Sequence, residues 1–366
     1  MTMPQSCLRV STPGRVCLFG EHQDYLKLSV VPCAISLRIT MEGSARPGHQ
    51  AHIDLPDTNS KEAFTLCEPL PYRAKRDYFR SSVNVLLRRG FTFSRGCECT
   101  VRGKIPINSG TSSSSALIVT WIQFLAQISD QPRLLPPLEV ATLAHEAEVL
   151  EFGEPGGMMD HFSTSCGGVL AIDFHPALHV QEIPVELGTL VLGDSMEPKD
   201  TTAILSRVKG GVLRAAKMLE SRYPGFSLQT AGPEDIEKSD GALTTAEREL
   251  LLGTIRNRDI TREARELMGR KVTDHRRLGA LLTAHQAVLC DVLKISTPKI
   301  DRMIEAAMKA GAYGAKINGS GGGGCMFAYA PEHPESVAEA IERAGGNVTI
   351  VRADTGTRTE FFEARD

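Results

Sequence analysis

Four short segments hold residue types and spacings that could do chemistry. In residues 109–116, SGTSSSSA, Gly110 and Thr111 are followed by four consecutive serines, Ser112, Ser113, Ser114 and Ser115, and then by a long apolar run. At a helix N-terminus, backbone N–H groups and hydroxyls converge into an anion site, and the hydroxyls can reach a metal carried on phosphates. The plain alternative is an N-cap, for which one serine suffices. Residues 13–25, PGRVCLFGEHQDY, place Arg15, Glu21, His22 and Asp24 beside Val16, Leu18 and Phe19. Closely spaced donors and acceptors next to a core suit a polyhydroxylated ligand, whose hydroxyls each want both; a solvated loop is the alternative. In residues 153–162, GEPGGMMDHF, Asp160 follows a glycine-rich turn and is by default a helix cap. Residues 318–325, NGSGGGGC, read either as a linker or as backbone that must approach another segment closely.

The elements expected to position these groups follow from periodicity. Residues 8–11 and 30–40 read as strands, residues 51–75 as short strands and turns, and RDYFRSSVNVLLRRG as a helix. The strand ECTVRGKIP stops at Pro106. Residues 114–128 are apolar almost all round, which fits a buried helix with the serines as its N-cap. A helix over 136–152 starts on proline and ends before Gly153. Its last turns carry Glu146, Glu148 and Glu151, against the dipole preference, so they call for solvation or a bound cation. Strands are expected at 168–173 and 189–192. The chain then turns mostly helical, and a strand pair, CMFAYA and NVTIVRA, flanks a helix near the C-terminus. The composition shift near residue 185 suggests two domains, 1–185 and 186–366.

Composition narrows the function. Lys and Arg number 41 against 44 Asp and Glu, a net charge of −3, so no general basic field exists to grip nucleic acid. Trp121 and Phe124 lack a basic stripe and read as core. Nine scattered cysteines read as reduced thiols of a cytoplasmic protein, and no signal sequence or long apolar span points to a membrane. Cys97 and Cys99 lack the spacing of a zinc site. His145, His161 and His285 have no metal-ligand spacing either, and read as surface or core histidines.

The order and spacing of the four segments resemble the GHMP family of small-molecule kinases, its galactokinase branch most closely. PGRVCLFGEHQDY with VVPCAI looks like the family's sugar-recognition signature, GKIPINSGTSSSSAL is similar to its phosphate-binding motif, and KINGSGGGGCMFA to its glycine-rich C-terminal motif. GGMMDHF is similar to the catalytic aspartate segment. Residues 45–75 and 200–270 match nothing in the pattern.

The resemblance implies an α+β, two-domain fold, with an N-terminal ribosomal-S5-like α/β domain and a C-terminal ferredoxin-like α+β domain. It implies an ATP-dependent kinase acting on the anomeric hydroxyl of a monosaccharide, with Asp160 and Arg15 catalytic. Glu21, His22, Asp24 and Gly157 would bind the sugar, and Gly110 with Thr111 to Ser115 would bind ATP. Ser114 and Glu148 would hold Mg²⁺. Alternatives are a silent sugar or ATP sensor of the same fold, and a kinase for a non-sugar alcohol. Cys17, Gln23, Leu26 and Gly322 depart from the galactokinase pattern beside these motifs. The sugar is thus open among galactose, another hexose, an amino sugar, a sugar acid and a heptose.

Overall fold

The computed structural model describes residues 6–199, 201–239 and 241–363. The first half runs β1 (Ser6–Phe19), β2 (Val31–Arg46), β3 (Gln50–Leu55), β4 (Ser60–Thr65), α1 (Tyr78–Arg88), β5 (Gly96–Gly103), α2 (Ser113–Ile128), α3 (Pro137–His145), α4 (Met159–Cys166), β6 (Leu170–Asp173) and β7 (His179–Glu182). The second half runs β8 (Leu190–Asp194), α5 (Thr201–Arg222), α6 (Pro233–Glu237), α7 (Thr245–Met268), α8 (His275–Ala287), α9 (Pro298–Lys309), β9 (Gly314–Ile317), β10 (Cys325–Tyr329), α10 (Pro334–Arg343), β11 (Asn347–Val351) and β12 (Arg358–Glu363).

Two sheets carry the site. The first has the order β12-β1-β2-β5-β3-β4 and the second β11-β8-β10-β9. β1 is longer than its sequence pattern suggested because apolar residues continue through Val16, Leu18 and Phe19, all buried. Its pairing with β2 shifts register between Pro13 and Gly14 and again between Cys17 and Phe19. Such bulges bend a strand and re-aim its side chains, and Arg15 lies between the two.

α2 packs on β1 and β2 with Ile118, Trp121, Ile122 and Phe124 fully buried. Each such side chain contributes about 1.5–3 kcal/mol by leaving water. Trp121 also donates its indole N–H to Phe79 O at 3.0 Å, so it is core, as its sequence context indicated. α9 and α10 cover the second sheet through Ile300, Met303 and Ile341. α5, α6 and α7 form a third cluster that takes in Leu26 and Leu28 from the sugar-signature region.

The helix expected over 136–152 is α3 continued by a wide π-helical turn at Glu146–Leu150. Its acidic residues are resolved in two ways. Glu146 pairs with Arg88 and Arg89 at 3.3 and 2.8 Å, and Glu151 with Arg88 at 2.6 Å, whereas Glu148 turns inward. The position expected to divide the domains falls between β7 and β8. The chain does not stay with the second sheet, however: β12 returns to pair with β1. No described helix is long and apolar enough to cross a membrane. None of the nine cysteines is disulfide-bonded.

Candidate active site

Arg15 and Asp160 both line a cleft of about 500 Å³ and meet there. The bulged strand β1 sends the Arg15 side chain inward, where it is 4% exposed. Asp160 stands in the first turn of α4. Both Nε and Nη2 of Arg15 grip Oδ1 of Asp160, at 2.8 and 2.7 Å, and Nη1 donates to Gly110 O at 2.5 Å. Burial alone would raise the Asp160 pKa. The Arg15 charge, with smaller contributions from His161 and the Arg15 hydrogen bond, outweighs that and holds the carboxyl below its ordinary value.

The serine loop is set by backbone conformation. Asn108, Gly110 and Ser112 all have positive φ, and α2 begins at Ser113. Ser112 occupies the N-cap position but is left-handed and makes no side-chain cap, contrary to the expected serine cap. Its buried hydroxyl has no partner, and the residue lines the cleft. The helix N-terminus therefore stays open toward the cleft rather than being closed by its own side chain. Ser113, Ser114 and Ser115 line it too. Ser109 faces away, donating to Asp194 at 2.8 Å.

Glu148 lines the same cleft. The serine bonded to it is Ser115, whose hydroxyl donates to Oε2 at 2.7 Å; Ser114 makes no such bond. His161 Nε2 meets that same oxygen at 2.8 Å. His161 is thus part of the site and not merely a core histidine. A carboxylate beside a row of hydroxyls is an all-oxygen donor set, which suits Mg²⁺. Among the described residues no group of three or more His, Cys, Asp or Glu is placed to hold a metal, so phosphate oxygens would have to complete any such shell.

In the same cleft, Asp24 accepts the N–H groups of Tyr25 at 2.8 Å and Met159 at 3.2 Å. Its pKa is raised, first by burial and then by the Asp160 charge. A Cβ at Gly157 would lie 1.8 Å from Asp24 Oδ2, so only glycine lets the two segments meet. Glu21 and His22 line the cleft with their polar atoms already engaged. Glu21 bonds Lys316 and the Gly319 N–H. His22 meets Tyr25 Oη at 2.7 Å and Ser320 O at 3.1 Å. A carbonyl only accepts, so Nε2 carries the proton and Nδ1 accepts from the tyrosine. Burial pushes the His22 pKa down to about 4, keeping it neutral.

The glycine-rich segment is not a linker. Gly319, at φ 76, would place a Cβ 2.8 Å from Gly110 O, so the two loops are in backbone contact. Two departures from the galactokinase pattern also find packing reasons. Leu26 joins the α5–α7 core, and a Cβ at Gly322 would lie 2.2 Å from Ile204 Cδ1.

Sequence reading missed Lys199, Lys316 and Asn318. Lys199 donates to Ser320 Oγ at 3.3 Å, and burial, with the Arg15 charge adding, pushes its pKa down to about 8. Its only sequence signal was a lysine soon after β8. Lys316 left a clearer trace, a lone charge in the otherwise apolar approach to the glycine run.

Three family models match stretches of this chain. The galactokinase galactose-binding signature matches residues 4–45, the GHMP kinases N-terminal domain 77–168 and the GHMP kinases C-terminal model 264–347. The chain belongs to the GHMP kinase family. Within it, the galactose-binding signature places this GHMP kinase on the galactokinase-like side. It is 27% identical to a galactokinase of Actinobacillus succinogenes over 359 residues, covering 93% of this chain and 90% of that one. A mevalonate kinase of Thermococcus sibiricus is 26% identical over 351 residues, covering 93% and 95%. The crystal structure of Lactococcus lactis galactokinase complexed with galactose superposes with a TM-score of 0.84 at 21% identity, covering 96% and 95%, which supports the GHMP kinase fold.

Proposed function

We propose that this GHMP kinase transfers the γ-phosphoryl group of ATP to the anomeric hydroxyl of a monosaccharide. The observation that carries the reading is Arg15, which binds both Asp160, beside the sugar-signature segment, and Gly110 of the serine loop. An acceptor hydroxyl against Asp160 and a phosphate on the serine loop would meet there.

Phosphoryl transfer needs positioning and charge neutralisation more than covalent help. Both Arg15 bonds fall on Oδ1 of Asp160, which leaves Oδ2 for the acceptor hydroxyl. A carboxylate with a lowered pKa is a weak base, so Asp160 orients the hydroxyl and takes its proton late, once bonding to phosphorus has acidified it. The open N-terminus of α2 and the serine hydroxyls receive the phosphates. Glu148 and Ser114 would hold Mg²⁺, with Ser115 and His161 fixing the carboxylate. When bound, that ion offsets the charge on the β- and γ-phosphates.

The test is ADP release from Mg-ATP with galactose, glucose, mannose, N-acetylhexosamines, uronic acids, arabinose, heptoses and mevalonate, with Asp160→Ala as the blank. Turnover with one sugar, lost in the blank, is the expected result. Turnover with mevalonate alone would assign a non-sugar alcohol, and ATP and sugar binding without turnover would assign a sensor. Asp160→Asn should lose about 10²–10⁴-fold in turnover while still binding sugar; near wild-type turnover would remove Asp160 from the chemistry.

A further inference from the structure

Glu146 opens the π-helical turn, Glu151 follows it directly, and Glu148 lies in its middle. The Glu151 N–H donates to Glu146 O at 3.0 Å, the five-residue bond that widens the turn. One guanidinium spans both ends. Arg88 Nη2 donates to Glu146 Oε1 at 3.3 Å and to Glu151 Oε2 at 2.6 Å, and Nη1 donates to Glu151 Oε1 at 3.3 Å. Arg89 adds a bond to Glu146 Oε2 at 2.8 Å, and Tyr72 Oη donates to Glu151 Oε1. In an α-helix, residues five apart are separated by about 140° around the axis, too far round for one arginine to reach both. The wider turn brings the two carboxylates onto one side. A basic residue at the end of a helix such as α1 is favoured by the dipole alone, but that preference requires no pair of carboxylates on another helix.

We infer that Arg88 is a remote positioning residue: by gripping Glu146 and Glu151 together it keeps the turn in its π register, and so keeps Glu148 aimed at Ser115, His161 and the phosphate side of the cleft. The inference rests on the reading of Glu148 as a Mg²⁺ ligand. Arg88 is not among the residues that line the cleft, so it acts through the turn and not on a substrate. While the outer glutamates face Arg88, Glu148 points inward and is held by the Ser115 hydroxyl and the His161 ring. Single π turns inside helices occur mostly at functional sites, where the extra residue re-aims a side chain. Arg88 is 48% exposed, and exposed ion pairs add little to global stability. A small energy is enough here, because it chooses between two registers of one turn rather than between folded and unfolded chains.

The experiment compares Arg88→Met, Arg88→Lys, Glu151→Gln, the Arg88→Met/Glu151→Gln double variant and, as a reference, Glu148→Gln. Each is measured by thermal melting, by amide hydrogen exchange over residues 146–154, and by affinity for mant-ATP with Mg²⁺ and with EDTA. Arg88→Met should melt within about 2 °C of wild type. Its turn should exchange about 10-fold faster. It should bind mant-ATP about 10-fold more weakly with Mg²⁺ and unchanged with EDTA. Arg88→Lys keeps the charge and loses the fork that reaches two carboxylates, so it should stay closer to Arg88→Met than to wild type. Glu151→Gln should show the same kind of loss, and the double variant should be no worse than Arg88→Met, because the two residues act as one unit. Unchanged exchange in Arg88→Met, full rescue by lysine, or losses that add in the double variant would each overturn the inference. If Glu148→Gln removes the Mg²⁺ effect and Arg88→Met does not, the inference falls and the metal reading stands. If neither variant changes it, the metal reading falls and the inference with it.

Discussion

Cys17 and Asn318 lie 301 residues apart in the chain, and the Asn318 side-chain oxygen accepts the Cys17 N–H at 2.9 Å. The amide nitrogen of the same side chain donates to Gly110 O at 2.8 Å, the carbonyl that also receives Arg15. One fully buried asparagine thus ties the sugar-signature strand to the phosphate loop. Asn318→Ala leaves the Cys17 N–H without its acceptor, at about 1–3 kcal/mol. It should lower kcat more than it raises KM for either substrate. Asn318→Asp keeps the acceptor for Cys17 and loses the donor to Gly110, so steady-state kinetics should give a similar loss of kcat.

Ser115 and His161 both hold Oε2 of Glu148. Removing a group that orients a metal ligand commonly lowers metal affinity about 10–100-fold. Ser115→Ala and His161→Gln should each raise the Mg²⁺ concentration needed for half-maximal activity by about 10-fold, at unchanged sugar KM. Activity measured against Mg²⁺ at saturating ATP and sugar checks this.

Gly157→Ala places a methyl 1.8 Å from Asp24 Oδ2, and the carboxylate has to move. Sugar KM should rise about 10-fold or more, the equivalent of about 1.4 kcal/mol. Gly153→Ala is the contrast: its φ is positive, but its added Cβ meets nothing within 4 Å. It should affect melting temperature and leave sugar KM alone.

Lys199, with its pKa pushed down to about 8, gives activity and stability opposite pH trends. The protonated ammonium beside the serine loop is the form that attracts phosphate, so kcat/KM for ATP should fall as pH rises through about 8. Between there and the ordinary lysine range the unfolded chain holds the proton and the folded one does not. This group's contribution to stability therefore rises with pH across that window. Lys199→Met should flatten both profiles and lower kcat/KM for ATP at pH 7.

Local pattern made much of this protein legible. The apolar run after the serines fits a buried helix better than a strand, and α2 is one. The Pro start and Gly end bracketed the helix carrying Glu148, and the excess of acid at its end marked a place where something had to compensate. For Glu146 and Glu151 that is Arg88 at the end of α1 and Arg89 just after it, which no local window contains. β12 was missed because its alternating residues are half exposed at a sheet edge, and its partner β1 stands at the other end of the chain.

What the sequence by itself determined is which residue types occur in which order: an arginine and three acid–base groups on a strand end, a serine row before a helix, an aspartate after a glycine turn, and a glycine run. Those patterns are local, set by periodicity, turn chemistry and capping, and they carried the family. Tertiary structure decided how each group is used. Ser112 leaves its helix uncapped, Ser115 and not Ser114 holds Glu148, and Glu21 and His22 are bonded within the protein. Such outcomes depend on which donors and acceptors from distant segments arrive at the same few ångströms of space. A buried polar group takes whichever partner packing delivers, and no spacing rule along the chain encodes that.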